Sequence, residues 1–174
     1  LNLKLTYCIE PIQSLTDKIN QSFPSNKIKI LNFALSNRRG KKNFYEYNIS
    51  STSSLYKQNN LYKSLKNLKK ISKVQLEKFD DIFNKNLKID ICKIDAQGED
   101  YNVLKGMRKN LKKKNIKILK IELSLESFYL NTKKNFYEII LYLKKFNYEI
   151  ISISKIKYKN DRITFIDAYF EYKK

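Results

Sequence analysis

Acidic and amide side chains surround a glycine at residues 95–100, in the middle of the chain. They follow an apolar run at 89–94, and this order predicts a buried strand, a tight turn and the start of a helix. Asp95 would stand at the carboxyl end of that strand, where ligands bind in open α/β sheets. There Asp95 could orient a hydroxyl group or accept its proton, while Gln97 could supply a neutral hydrogen-bond donor or acceptor. We therefore predict catalytic roles for Asp95 and Gln97.

The same segment also has a structural interpretation, which the sequence leaves open. Asp95 could accept hydrogen bonds from the amides of the turn, and Glu99 and Asp100 could stabilise the following helix through its dipole. Gly98 is expected to permit the sharp turn, which is a backbone role rather than a chemical one.

A further carboxylate, Glu122, lies inside an apolar run at 116–123. A buried carboxylate needs a partner, so Glu122 could either contact a substrate or pair with a lysine. We predict that Glu122 and Asp100 bind substrate. Because the chain has no histidine, and because no ligand spacing demands a metal ion, we predict no metal site.

Composition restricts the class of protein. A chain of 174 residues is long enough for one hydrophobic core, so we predict a single domain over 1–174. The net charge of +19 invites a nucleic-acid partner, because lysine and arginine release counterions from phosphates. However, most of the basic residues are lysines spread along the whole chain, whereas base recognition favours arginine. We therefore expect no specific nucleic-acid partner.

Cysteine usage and hydropathy point to a reducing compartment. Cys8 and Cys92 each lie in an apolar strand pattern, and we predict that both are reduced thiols of the core. No apolar run is long enough for a transmembrane segment. We expect a cytoplasmic protein.

Periodicity predicts the elements that position these residues. A strand at 5–9, a helix with an apolar face and a strand at 28–35 form a βαβ unit, which implies a parallel sheet. That helix face carries Leu15, Ile19 and Phe23. After an interruption, strands are predicted at 89–94 and at 116–123, each followed by an amphipathic helix. The short turn at 157–162, between the last two strands at 150–153 and 163–170, makes them an antiparallel pair.

Residues 41–79 interrupt the alternation of strands and helices, and we predict that they form an insertion over the sheet. It contains a polar serine-rich loop at 50–54, a lysine-rich stretch at 57–73 and an alternating strand that ends at Phe79. The lysine-rich stretch is predicted to be a short helix lined by Leu61, Leu65 and Leu68. Such a helix could touch an anionic surface, although a solvated face is the simpler interpretation.

Several short motifs, taken in order, resemble the FkbM-like family of S-adenosylmethionine-dependent methyltransferases. They are, in chain order, Cys8-Ile9-Glu10-Pro11, Ala34-Leu35-Ser36-Asn37-Arg38-Arg39-Gly40, Lys93-Ile94-Asp95-Ala96-Gln97-Gly98-Glu99-Asp100, Val103-Leu104-Lys105-Gly106 and Ile121-Glu122-Leu123. The resemblance covers residues 7–170. Asp100 stands where the family more often has glutamate.

The resemblance implies an α/β fold, the Rossmann-like three-layer sandwich of class I methyltransferases. Its mostly parallel sheet has the strand order 3-2-1-4-5-7-6, and strand 7 is antiparallel. The cofactor implied is S-adenosyl-L-methionine. The acceptor implied is a hydroxyl group on a sugar, a glycan or another small polar metabolite.

The resemblance also implies roles for residues at strand ends. Glu10 would bind the ribose hydroxyls of the cofactor; the alternative is a carboxylate that stabilises a helix starting near Pro11. Ala34, Leu35 and Ser36 would form the wall against adenine, or would simply end a strand. Asp95 would lie where the methyl donor and the acceptor meet.

One part of the family pattern is missing from this chain. In the family, strand 1 and its glycine-rich turn precede the Glu-Pro strand, but only seven residues precede Cys8 and no Gly-x-Gly occurs. We expect that strand in a longer protein, and its loss here would leave unpaired strand edges that favour low stability or dimerisation.

Two other function classes stay open. One is a non-catalytic, methyltransferase-like binding or scaffold module. The other is a Rossmann dehydrogenase, which the antiparallel terminal strands and the segment 93–98 disfavour.

Overall fold

A computed structural model describes residues 5–23, 26–59, 67–83, 86–126, 128–132 and 136–173. Its strands, in chain order, are β1 (Thr6–Ile9), β2 (Ile28–Leu31), β3 (Ala34–Leu35), β4 (Gly40–Tyr47), β5 (Leu68–Glu77), β6 (Ile89–Ile94), β7 (Ile116–Ser124), β8 (Tyr148–Lys159) and β9 (Arg162–Tyr172). Its helices are α1 (Gln13–Ser22), α2 (Phe79–Ile82), α3 (Asp100–Gly106), α4 (Arg108–Lys112) and α5 (Phe136–Lys144), with a 3-10 turn at Ser50–Thr52. The fold is a mixed α/β fold.

A four-stranded sheet carries the main core, in the order β6-β7-β9-β8. β6 is parallel to β7, and β9 is antiparallel to both of its neighbours. β7 is central because β6 pairs with one side of it and β9 with the other, and its side chains Ile116, Leu119 and Ile121 each have 0% exposure. The predicted central strand and the predicted antiparallel terminal pair are both confirmed, and β8 and β9 are longer than expected.

The predicted βαβ unit is also confirmed, since β1 and β2 form a parallel pair joined by α1. Ile9 and Leu31 from this pair pack against the main core. The helix was placed correctly, but its predicted apolar face was wrong at Phe23, which lies after the helix and exposes 59% of its surface. α1 ends there because Pro24 follows Phe23 and cannot continue a helix.

The predicted strand at 28–35 is wrong in its second half. The chain breaks after β2, and β3 leaves that pair to lie parallel to β5 in a separate three-stranded sheet, β3-β5-β4. β4 and β5 form a long antiparallel hairpin within the predicted insertion. A small core that includes Phe44, Leu55 and Leu76 holds this sheet together.

The predicted lysine-rich helix is wrong where the structure describes it. Leu68 begins β5, and Lys69, Lys70 and Lys73 lie on that strand. Leu61 and Leu65 lie outside the described residues. The strand forms in spite of the lysines because its backbone pairs with β4 along nearly its whole length.

β6 was expected to be fully buried, and this prediction is wrong as well. Ile94 is buried, but Ile91 exposes 51% of its surface. β6 lies at the edge of its sheet, and among the described residues no strand pairs with its outer side. The four-stranded order agrees with the 4-5-7-6 half of the predicted sheet, whereas the complete sandwich stays a prediction.

Helix α3 closely approaches the end of β3. A Cβ atom built on Gly106 would lie 2.1 Å from the carbonyl oxygen of Ser36. Only a residue without a side chain fits here, so Gly106 brings the strand end of the small sheet against the helix that follows β6.

Candidate functional site

The turn after β6 has an unusual backbone. Gln97 and Gly98 both have positive φ, at 48° and 95°. A positive φ costs energy at a non-glycine residue and is found most often where the surroundings enforce it. Both carboxylate oxygens of Asp100 bind this turn, accepting the amides of Ala96 at 2.8 Å and of Gly98 at 3.0 Å.

The turn brings together Asp95 and Gln97, for which the sequence predicted catalytic roles, and Glu122, for which it predicted substrate binding. Gln97 Nε2 lies 2.5 Å from Asp95 Oδ1 and 3.2 Å from Glu122 Oε2. Asp95 follows β6 and Glu122 lies on the adjacent β7. We call Asp95, Gln97 and Glu122 the strand-end cluster.

Exposed lysines pair with the outer oxygens of the strand-end cluster. Lys93 Nζ lies 2.9 Å from Asp95 Oδ2, and Lys157 Nζ lies 3.3 Å from Glu122 Oε1. Both lysine side chains are 58% exposed, so each ion pair contributes little stability and is easily replaced. Glu122 thus has the lysine partner that the sequence offered as one alternative.

Asp100 is placed differently from the strand-end cluster. It is buried, and burial is the main reason that the pKa of its carboxyl rises to about 6, although the bound amides act in the opposite direction. The predicted substrate-binding role of Asp100 stays a prediction, and the structure gives this side chain the alternative, backbone-binding position.

A second group of polar side chains lies beside the turn, around the buried Glu99. Its carboxylate accepts hydrogen bonds from Ser36 Oγ at 2.5 Å and from Tyr56 at 2.6 Å. Lys42 Nζ lies 4.0 Å from the same carboxylate and 3.8 Å from the centre of the Tyr56 ring. Burial and the hydrogen bond to Glu99 raise the pKa of the Tyr56 hydroxyl, whereas burial lowers the pKa of Lys42.

Sequence reasoning missed the parts of the site that come from distant segments. Tyr56 and Ser54 belong to the insertion, and Ser54 Oγ donates to the carbonyl of Gln97 at 2.6 Å. Tyr129 follows β7, and its hydroxyl lies 2.7 Å from Gln97 Oε1. The polar composition of the serine-rich loop was the only available signal.

Glu10 lies after β1, where it was predicted. Its Oε1 accepts the amide of Ile12 at 2.8 Å, close to the start of α1, which is the structural alternative. Burial, with a smaller effect of Glu46, raises the pKa of Glu10, while the Ile12 amide lowers it. Among the described residues none donates a hydrogen bond to Oε2 of this half-buried carboxylate.

The side chains at the end of β3 are mostly hidden. Ala34 and Ser36 are buried at 8% and 1% exposure, and the Ser36 hydroxyl is used by Glu99. Leu35 is half-buried against the main core. The adenine wall predicted from these residues stays a prediction.

Three findings concern metal binding, membrane spanning and the cysteines. Within the described parts of the chain, histidine, cysteine, aspartate and glutamate form no group of three or more that could hold a metal ion. None of the described helices is both long and apolar enough to cross a bilayer. Cys8 and Cys92 are free and half-buried.

Comparison with known proteins supplies the family. A crystal structure of methyltransferase FkbM from Methylobacillus flagellatus KT is similar to this chain, with a TM-score of 0.56 and 13% sequence identity. The match covers 97% of this chain but only 36% of that protein. No curated protein sequence matches the chain significantly. The family model of the methyltransferase FkbM domain matches residues 2–150, and the chain therefore belongs to the FkbM methyltransferase family.

Proposed function

We propose that this chain is part of an S-adenosylmethionine-dependent methyltransferase that modifies a hydroxyl group on a sugar, a glycan or another small polar metabolite. The observation that carries the proposal is the strand-end cluster, which joins two carboxylates and an amide at the carboxyl ends of neighbouring parallel strands. Carboxylates in this position suit an acceptor hydroxyl, because each can accept its hydrogen bond. Membership of the FkbM family supports methyl transfer as the reaction.

Asp95 and Gln97 have different roles in the proposed reaction. S-adenosylmethionine supplies an electrophilic methyl group when bound. Asp95 orients the acceptor hydroxyl and takes its proton, since its side chain is 32% exposed and its ion pair with the 58% exposed Lys93 is weak. Gln97 holds Asp95 and Glu122 in place, and alignment of this kind is the main contribution that a methyltransferase makes.

The ribose end of the cofactor fits Glu10. A carboxylate can accept from both ribose hydroxyls through charge-assisted bonds, and among the described residues no group donates a hydrogen bond to Oε2 of Glu10. The printed sequence contains no Gly-x-Gly. We therefore assign the contact with the ribose to Glu10 and assign no residue to the contact that a glycine-rich turn makes with the cofactor. We expect S-adenosylhomocysteine to bind through Glu10.

Variants of Glu10 separate the two roles that the structure allows. Glu10→Gln keeps an oxygen for the Ile12 amide but loses the carboxylate, so the start of α1 should survive while cofactor binding falls by about tenfold or more. Binding of S-adenosylhomocysteine is measured by calorimetry and folding by the melting temperature. Glu149→Gln, which removes an exposed carboxylate paired with Lys173, is the matched control. Unchanged binding by Glu10→Gln would exclude the ribose role.

A second candidate function is a non-catalytic scaffold or binding module. The backbone hydrogen bonds that Glu10 and Asp100 accept favour it, because both carboxylates then have structural roles. The two functions differ in one respect that is easily measured, since a scaffold would bind neither S-adenosylmethionine nor S-adenosylhomocysteine at any chain length.

A further inference from the structure

Tyr129 lies against the turn that carries Gln97. Its ring is buried, with 7% exposure, and covers Gly98, where an added Cβ would lie 3.2 Å from Tyr129 Cδ2. Its hydroxyl lies 2.7 Å from Gln97 Oε1 and 3.0 Å from the carbonyl oxygen of Thr52. Tyr129 therefore touches both the turn after β6 and the insertion.

The partners of Gln97 fix the direction of its side-chain amide. Carboxylates only accept hydrogen bonds, so the amide nitrogen must face Asp95 and Glu122, and its two hydrogens serve one carboxylate each. The amide oxygen must then face Tyr129. The opposite orientation would place the amide oxygen against two carboxylates and leave Tyr129 to accept rather than donate.

The phenol of Tyr129 is held in its donor form. Burial raises its pKa, and the nearby carboxylates of Asp100, Glu122 and Asp95 raise it further. A hydroxyl has one hydrogen, whereas Thr52 and Gln97 both present acceptor oxygens. The shorter distance favours donation of this hydrogen to Gln97. The Thr52 carbonyl oxygen, which belongs to the insertion, contacts the same hydroxyl and fixes its position.

We propose that Tyr129 is a positioning residue of the candidate site: its hydroxyl orients the Gln97 amide so that this amide bridges Asp95 and Glu122. The proposal rests on the proposed function only in treating the strand-end cluster as the acceptor site. A chain of contacts, from Thr52 through Tyr129 and Gln97 to the carboxylates, thus links the insertion to the strand-end cluster.

The side-chain amide signal of Gln97 in an NMR spectrum tests this proposal without cofactor or acceptor. In the unmodified chain the two amide protons should have distinct shifts and slow exchange with water. Tyr129→Phe should move both shifts toward those of a free glutamine side chain and speed exchange by about tenfold or more. The NMR result does not depend on methyl transfer. The positioning role of Tyr129 and the proposed methyltransferase function can therefore be refuted independently.

A matched control keeps simple loss of stability from imitating the effect. Tyr148 is also buried, and its hydroxyl donates to the carbonyl of Ile116 at the other end of β7. Tyr148→Phe should reduce stability and leave the Gln97 signal unchanged. An unchanged Gln97 signal in Tyr129→Phe, or an equal change in Tyr148→Phe, would overturn the proposal.

A double-mutant cycle provides a second test, which also serves if the NMR signal proves too weak. Tyr129→Phe, Gln97→Leu and the double variant are compared by denaturant unfolding. If the hydroxyl acts through the amide, the double variant should lose clearly less stability than the sum of the single losses. Additive losses would show that Tyr129 acts independently of Gln97.

Should Tyr129→Phe not fold, the Gln97→Leu variant tests the bridge alone. This variant should alter the NMR signals of the Asp95 and Glu122 carboxyl groups, and unchanged signals would refute the bridge.

Discussion

Asp100 shows how burial and hydrogen bonding oppose each other at a single carboxylate. Amides of Ala96 and Gly98 favour its ionised form, but burial dominates and raises the pKa from 3.8 to about 6. The folded chain therefore holds this proton more tightly than the unfolded chain does. Its stabilising contribution is complete below about pH 4 and is lost as the pH rises through about 6.

We expect the free energy of unfolding to decrease across that pH range, by up to about 3 kcal/mol from this residue. Denaturant unfolding of the wild-type chain and of Asp100→Asn between about pH 4 and pH 7 measures the contribution. The variant cannot titrate, so its curve should be flatter even though it is less stable overall. Parallel curves would show that Asp100 is ionised normally in the folded chain.

Tyr56 stabilises the buried carboxylate of Glu99. Its hydroxyl donates to the buried Glu99 carboxylate at 2.6 Å, and removing it leaves a charged acceptor with one donor fewer. Tyr56→Phe should cost about 1–3 kcal/mol in denaturant unfolding. Tyr45→Phe is the control, since this half-buried tyrosine on β4 has a lysine over its ring and, among the described residues, no partner for its hydroxyl. Similar losses in both variants would argue against the bond to Glu99.

At the scale of elements, the contact between α3 and the end of β3 depends on Gly106. An alanine usually stabilises a helix relative to glycine, by about 1 kcal/mol. Here we expect the opposite, a loss of about 1–3 kcal/mol, because the new methyl group would meet the Ser36 carbonyl. Unfolding of Gly106→Ala measures this, with the exposed Lys105→Ala on the same helix as control. A stabilised Gly106→Ala would mean that the strand end moves away without cost.

The elements that the sequence predicted well are those with local signals. β7 was predictable because five of its nine residues are large and apolar, and the β8–β9 pair because the turn between them is short. The turn at 95–100 followed from an apolar run that ends in acidic residues and glycine.

The errors came from pairing, which local signals do not encode. The first half of β5 is a strand because β4 pairs with it, although its lysines resembled a helix face; the alternating second half was predicted as a strand. The site shows the same limit. Asp95, Gln97 and Glu122 could be chosen from strand ends, but nothing local indicates that Glu99 turns inward toward Tyr56 or that Tyr129 reaches Gln97.

At the scale of the whole molecule, charge is the dominant feature. A net charge of +19 on 174 residues opposes the compact state through mutual repulsion. Salt screens such repulsion, with a Debye length of about 8 Å at physiological ionic strength. The melting temperature should therefore rise when sodium chloride is increased from about 20 mM to about 300 mM. A melting temperature that falls over this range would mean that the ion pairs contribute more than the repulsion.

The open sheet edges give a related prediction. Among the described residues, the outer side of β6 is unpaired and Ile91 on it is exposed. Such edges favour association through strand pairing. Sedimentation should therefore show a dimer, or thermal unfolding should show a broad, weakly cooperative transition. A chain that sediments as a monomer and also unfolds in one sharp transition would argue against association through this edge.

The proposed function requires that this fold binds S-adenosylmethionine for methyl transfer. The most direct measurement is calorimetric titration of S-adenosylhomocysteine into the chain and into the same chain extended upstream in its natural reading frame. We expect the extended form to bind S-adenosylhomocysteine and the Glu10→Ala variant of that form not to bind it. Absence of binding by both forms would exclude the proposed cofactor and favour a non-catalytic member of the family.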